Sequence, residues 1–200
     1  MRGDFTQDQF DIESESNFRI QKIQHGLVPF VTNKNASASL TISVNNKKNS
    51  LSIQKGKLVF AKIPLDFNLG LQKNQLQFSI NGNNIPIEKL VESINAKELE
   101  TVSQVNGSGN ANIQLTYKTE LKKDAYPEIE STFSIRNGKL TEPIKKLTLN
   151  HINLVGSLST SKGKGNEWVQ IEKLSFSTIS GPFAGAIRIE NFILPSYSGH

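Results

Sequence analysis

Residues 107–143 read GSGNANIQLTYKTELKKDAYPEIESTFSIRNGKLTEP, and this stretch decides the fold class. Ala111, Ile113, Leu115 and Tyr117 alternate with Asn112, Gln114, Thr116 and Lys118. After the charged, Pro-closed KKDAYP, the residues Ile129, Phe133 and Ile135 resume the same period of two, with Ser131 as a small residue in the row. Successive side chains of a strand point to opposite faces, so this alternation predicts two half-buried antiparallel strands sharing one apolar face. Asn137-Gly138 tolerates positive φ and predicts a tight hairpin turn.

The same period extends in both directions. Toward the amino terminus, Phe18 and Ile20, then Leu40, Ile42 and Val44, then Leu51, Ile53, Leu58 and Phe60 alternate with polar neighbours. Ile63, Leu65, Phe67, Leu69 and Leu71 make the cleanest run, and Leu76, Phe78 and Ile80 lead to Asn81-Gly82, a second predicted turn. Toward the carboxy terminus, Leu147 and Leu149 change face relative to Ile152 and Leu154, which predicts a bulge near His151. Val169, Ile171, Leu174, Phe176, Phe183, Ile187 and Ile189 finish the series, with a possible bulge at Gly185. Only residues 85–103 break the period. There Ile87, Leu90, Val91 and Ile94 share a helical face behind Pro86, which predicts a short helix with Asn84 as its cap. The fold class is therefore mainly all-β: an elongated, curved antiparallel sheet, as groove or sandwich, of about a dozen strands with one short helix. Residues 1–17 read as a polar, poorly ordered lead-in, although Phe10 and Ile12 alternate; 18–195 read as one β domain truncated at both ends, and 196–200 as a tail.

Composition agrees with a thin sheet. Apolar residues are 36% and charged residues 20% of the 200-residue chain, low for a compact enzyme with a deep core. Cysteine is absent, which excludes a disulfide framework, thiolate metal sites and cysteine nucleophiles. The net charge of +5 raises nucleic acid as a partner, but Lys47-Lys48, Lys122-Lys123 and Lys145-Lys146 are scattered pairs rather than a basic stripe, so no nucleic-acid partner is expected. No apolar run approaches the roughly 20 residues of a transmembrane helix.

Catalytic patterns are missing. His25, His151 and His200 stand far apart without metal-ligand spacing, and no cofactor or metal is expected. Asp66, Glu128 and Glu130 alternate with apolar residues and so belong to the solvent face of strands. Gly107-Ser108-Gly109-Asn110 lacks the Lys-Ser/Thr and helix start of a phosphate loop and reads as a strand entry. Arg2-Gly3-Asp4 is an adhesion-like triplet short enough to arise by chance, and the sequons at Asn35 and Asn106 matter only in a eukaryotic secretory pathway. Trp168, the sole tryptophan, opens a strand after a Gly-rich turn, where it would pack at an edge or serve as a stacking platform for a carbohydrate.

The order of these phrases resembles the AsmA family of bacterial envelope proteins. It is carried by VNGSGNANIQLTYK (105–118), PEIESTFSIRNGKLTEP (127–143), KKLTLNHINLVGSLS (145–159) and VQIEKLSFSTISGPFAGAIRIENFILP (169–195). In the first half, SLTISVNNKKNSLSIQKGKLVFAKIPLDFNLGL (39–71) and the helix at IPIEKLVESI match the family's interrupted strands. The family's amino-terminal membrane anchor has no counterpart here. The resemblance implies a non-enzymatic, periplasmic protein whose parent is anchored in the inner membrane of a Gram-negative bacterium. It further implies a role in outer-membrane biogenesis, with an apolar β-sheet groove that binds or conducts phospholipid or another acyl-chain lipid between membranes, and possible envelope protein partners. The lipid-facing row would then be Ile63, Leu65, Phe67, Leu69, Leu71, Leu76, Phe78, Ile113, Leu115, Phe133 and Ile135. The alternative is a structural or interaction β-sandwich module binding a partner protein or glycan.

Overall fold

The computed structural model describes residues 2–6, 8–25, 28–93, 106–143, 146–160 and 165–191. Eleven strands form one open antiparallel sheet, ordered in space as in sequence. They are β1 (Arg2–Thr6), β2 (Gln9–His25), β3 (Val28–Asn45), β4 (Ser50–Phe60), β5 (Ile63–Gln72), β6 (Gln75–Pro86), β7 (Asn106–Glu120), β8 (Glu128–Glu142), β9 (Leu147–Ser159), β10 (Trp168–Thr178) and β11 (Gly181–Glu190). The helix α1 (Ile87–Ser93) stands between β6 and β7. Ten strand spacings make the sheet on the order of 48 Å across. All the described strands belong to this sheet, so the alternation serves one layer with two unlike faces and not a sandwich.

Register sorts the faces, because directly paired residues lie on the same side. One apolar row crosses β2 to β6 as Phe10, Val44, Leu51, Leu71 and Leu76. Another crosses β5 to β11 as Phe67, Ile80, Leu115, Ser131, Leu158, Val169 and Ile189. The opposite face carries equally continuous polar rows, such as Asp66, Asn81, Gln114, Thr132, Ser157, Gln170 and Arg188.

The deepest apolar burial lies beneath α1, midway across the sheet and toward one end of the strands. Ile87 reaches from the helix onto Gly107 of β7 and Gly138 of β8, where a Cβ would stand 2.6 and 3.1 Å from its side chain. Ile85, Ile87, Ala111 and Ile152 are buried around this contact. At its other end the helix is tied to β3, where Lys34 Nζ donates to the Glu92 carbonyl at 2.7 Å. Lys34 shares its face with Ala36, the partner of Phe60, so α1 lies across the apolar side between β8 and β3.

Several local expectations are corrected. Asn137-Gly138 does not close a hairpin: both lie inside β8, where Asn137 has φ 47° and the register slips against both neighbours. Asn81-Gly82 likewise lies inside β6, and the left-handed residue there is Asn84 (φ 52°), in a bulge between Gly82 and Ile85. Asn84 is thus not the helix cap, since α1 starts only at Ile87. Asparagine tolerates positive φ in a bulge as well as in a turn, so the dipeptide alone does not separate the two. The extra residue near Gly185 sits on the facing strand, where Glu172 and Lys173 of β10 oppose Ala186 of β11. Within the lead-in expected over 1–17, residues 2–6 form β1 and 9–17 the start of β2, because the Phe10 and Ile12 alternation continues in register with Val44 and Ile42. The bulge at His151 is present, with φ 54°. Ile94 and residues up to 103 lie outside the described residues.

One of the two-residue connections uses unexpected residues. Ala61 and Lys62 join β4 to β5 with φ of 48° and 69°, the double left-handed geometry that favours an asparagine followed by a glycine. Ala61→Asn combined with Lys62→Gly is expected to raise the unfolding free energy by about 1–2 kcal/mol in urea denaturation, since each left-handed L-residue is strained by roughly that order.

Candidate functional site on the two faces of the sheet

All eleven residues of the predicted lipid row lie on the apolar face. Leu71 pairs Leu76, Leu69 pairs Phe78, Ile113 pairs Phe133, and Ile135 pairs Ala111. Ile63 and Leu65 pair Phe60 and Leu58 of β4, while Phe67 and Leu115 both pair Ile80. Their burial differs. Ile63 and Phe67 are buried, Ile113 is 37% exposed, and the remaining eight are half-buried.

Glycine explains part of this pattern. The Phe67 ring lies over Gly56 and the Phe133 ring over Gly156, each close enough that a built Cβ would fall 2.5 Å from ring carbons. A ring laid across a glycine covers backbone that the missing side chain leaves bare. These two phenylalanines therefore cover their own sheet, while Leu69, Leu71, Leu76 and Phe78 form the half-buried surface beyond them. Phe78 adjoins Phe67 with the ring planes tilted by 49° and the centroids 6.3 Å apart. At the β11 edge the apolar side is barer still, with Phe183, Ile187 and Ile189 exposed at 49%, 53% and 47%. Tyr117, Ile129, Leu154, Leu158 and Val169 belong to the same surface by register and extend the row beyond the eleven. Their alternation was visible in the sequence; their alignment across strands was not.

Trp168 stands on the other face, at the start of β10 as expected. Arg188 of β11 lies over its indole, with the guanidinium carbon 4.6 Å from the ring centroid. Two hydrogen bonds fix Arg188: Nε donates to Glu190 Oε1 at 2.8 Å and Nη1 to Gln170 Oε1 at 2.9 Å. Together they wall a hollow of about 540 Å³ that extends over β9, β8 and β7.

The start of β10 is itself anchored by a cluster that no motif announced. Glu167 is buried, accepts a hydrogen bond from the Tyr126 hydroxyl, and accepts another from the Gly165 N–H at 3.0 Å. The hydrogen bond to Glu167, followed by burial and by the Glu167 charge, pushes the Tyr126 hydroxyl up from 10.0 to about 12. Beside it, Thr160 donates to the Pro127 carbonyl at 2.8 Å and accepts from the Ile129 N–H at 2.9 Å. The KKDAYP turn is thereby fastened to the segment that presents Trp168.

The catalytic candidates do not assemble. His151 is exposed, with Nδ1 3.1 Å from Ser177 Oγ, and His200 lies outside the described residues. Asp66, Glu128 and Glu130 are exposed strand residues, and Asp66 pairs with Lys57 at 2.5 Å. Among the described residues no group of three or more His, Cys, Asp or Glu side chains is placed to hold a metal ion. No described helix is long and apolar enough to cross a membrane. No protein-family model matches the chain, and no curated protein or solved structure matches it either.

Proposed function

We propose that this chain is a non-enzymatic segment of a periplasmic envelope protein, whose apolar sheet face binds or conducts phospholipid acyl chains in outer-membrane biogenesis. The observation that carries this reading is the continuous apolar face of a single open sheet, on which α1 is the one described element that packs outside the sheet. Water contact along so long an apolar surface is unfavourable, and each acyl methylene transferred there contributes about 0.8 kcal/mol. A site of about ten covered methylenes gains roughly 8 kcal/mol before the costs of association. The resemblance of the sequence to the AsmA family supports the lipid class and the compartment.

Opposite-facing neighbours provide the test. A photoreactive benzoyl-phenylalanine at Phe78 or Leu115 is expected to cross-link phospholipid during expression in a Gram-negative host, whereas the same group at Ser79 or Thr116 is not. Leu69→Lys and Phe78→Lys are expected to lower phospholipid co-purification in native mass spectrometry by at least about tenfold. Equal labelling on both faces, or no lipid on the folded protein, would overturn the proposal.

A further inference from the structure

The hollow beside Trp168 has features that acyl chains do not need. Its floor is β9, where Ser157, Leu158 and Ser159 line it, the two serines contributing only small side chains. Trp168 and Arg188 rise on one side and Glu130 and Thr132 of β8 on the other, with Trp168 and Glu130 two strand spacings apart, or about 10 Å. Gln114 and Thr116 of β7 continue the second wall. Glu130, Thr132, Gln114 and Thr116 make no side-chain hydrogen bond to any described residue, so their donors and acceptors face the hollow or solvent. The result is a trough with one aromatic ring, one fixed guanidinium and a bank of uncommitted hydroxyl, amide and carboxylate groups.

We infer that this trough is a binding site for a neutral glycan. A pyranose presents an apolar ring face and a rim of hydroxyls, which are donors and acceptors at once. The side of the indole that Arg188 does not cover supplies the matching apolar surface, and Ser, Thr, Gln and Glu side chains supply both kinds of partner. Charge argues against an anionic ligand. Arg188 is already engaged by Glu190, Glu130 lines the trough, and Glu172 accepts from Ser157 Oγ at 2.9 Å on its margin. The hydrogen bonds from Arg188 also hold the indole's neighbour in place before binding, which limits the ordering that association requires. The trough lies on the face opposite the apolar rows, so this inference stands apart from the lipid reading.

Because Trp168 is the chain's only tryptophan, its emission reports this site alone. Titration with chitotetraose and with maltotetraose is expected to give a saturable change in tryptophan emission for at least one of them, with a Kd of about 1 mM or tighter. Thr132→Lys, at an exposed position in the trough, is expected to weaken binding at least about tenfold while leaving the circular dichroism spectrum and phospholipid co-purification unchanged. Calorimetry with Trp168→Ala is expected to show the same loss. No saturable change with either sugar at about 10 mM on folded protein would overturn the inference. So would undiminished binding by both Thr132→Lys and Trp168→Ala.

Discussion

Gly156→Val is expected to lower the unfolding free energy by about 3 kcal/mol, the upper end of what overpacking costs. A Cβ at this position would lie 2.5 Å from Phe133 Cε2 and Cζ and 2.8 Å from the backbone carbonyl oxygen of Gln170. The ring can swing away, but the carbonyl belongs to the β10 backbone, so the two strands must separate. A swung ring also bares the backbone it had covered, adding apolar exposure to the strain. Gly70 provides the contrast, since nothing stands within 4 Å of its Cβ direction. Gly70→Ala is expected to change stability by less than about 1 kcal/mol, in the stabilising direction, because alanine restricts the unfolded chain. Urea unfolding monitored by circular dichroism measures both, and equal effects at the two sites would show that the Phe133 contact is not what constrains Gly156.

Glu167→Ala is expected to cost about 2 kcal/mol, because it removes the acceptor shared by the Tyr126 hydroxyl and the Gly165 N–H and leaves a void where the replaced side chain is 1% exposed. Glu167→Gln is expected to cost much less, roughly 1 kcal/mol or below, since its carbonyl accepts from Gly165 while its amide donates to the tyrosine oxygen. The two differ again in alkali. Tyr126 holds its proton more tightly in the folded chain, with a pKa near 12, than in the unfolded chain at 10.0. Its contribution is therefore complete below about pH 10 and is lost as pH rises through about 12. In the wild type, tyrosinate absorbance at Tyr126 should develop only near the upper value. Glu167→Gln removes the charged acceptor and should bring that titration down toward 10, and an unmoved titration would disprove the hydrogen bond as the cause.

How much of this was legible in the residues depends on what sets each feature. Alternation such as Ile63, Leu65, Phe67, Leu69, Leu71 is a local property, and it sufficed for the strands and for the apolar face. Whether the layer is single or double depends on partners distant in sequence, and the alternation was compatible with both. Asn137-Gly138 and Ala61-Lys62 mark the limit of turn chemistry. The first has the residues of a hairpin and forms a bulge, whereas the second lacks them and forms the hairpin. What distinguishes them is the strand that follows and the register it must keep. Trp168 was visible as a lone aromatic at a strand start, but Arg188 comes over its ring only through β10–β11 pairing, and Glu167 meets Tyr126 across 41 residues. No spacing rule connects either pair.

The eleven strands follow chain order in space, so every described sheet pairing is between sequence neighbours. Such an array is close to a one-dimensional chain of coupled units, whose stability is a sum of nearest-neighbour terms rather than one indivisible core. A hairpin at either flank can then open while the interior strands stay folded. Half of the eight buried apolar residues, Ile85, Ile87, Ala111 and Ile152, lie midway along the array around α1, and that is where loss of one unit would divide the array in two. Length in this design is adjustable: a pair of strands added or deleted at a flank changes how far the two-faced surface runs without altering the packing elsewhere.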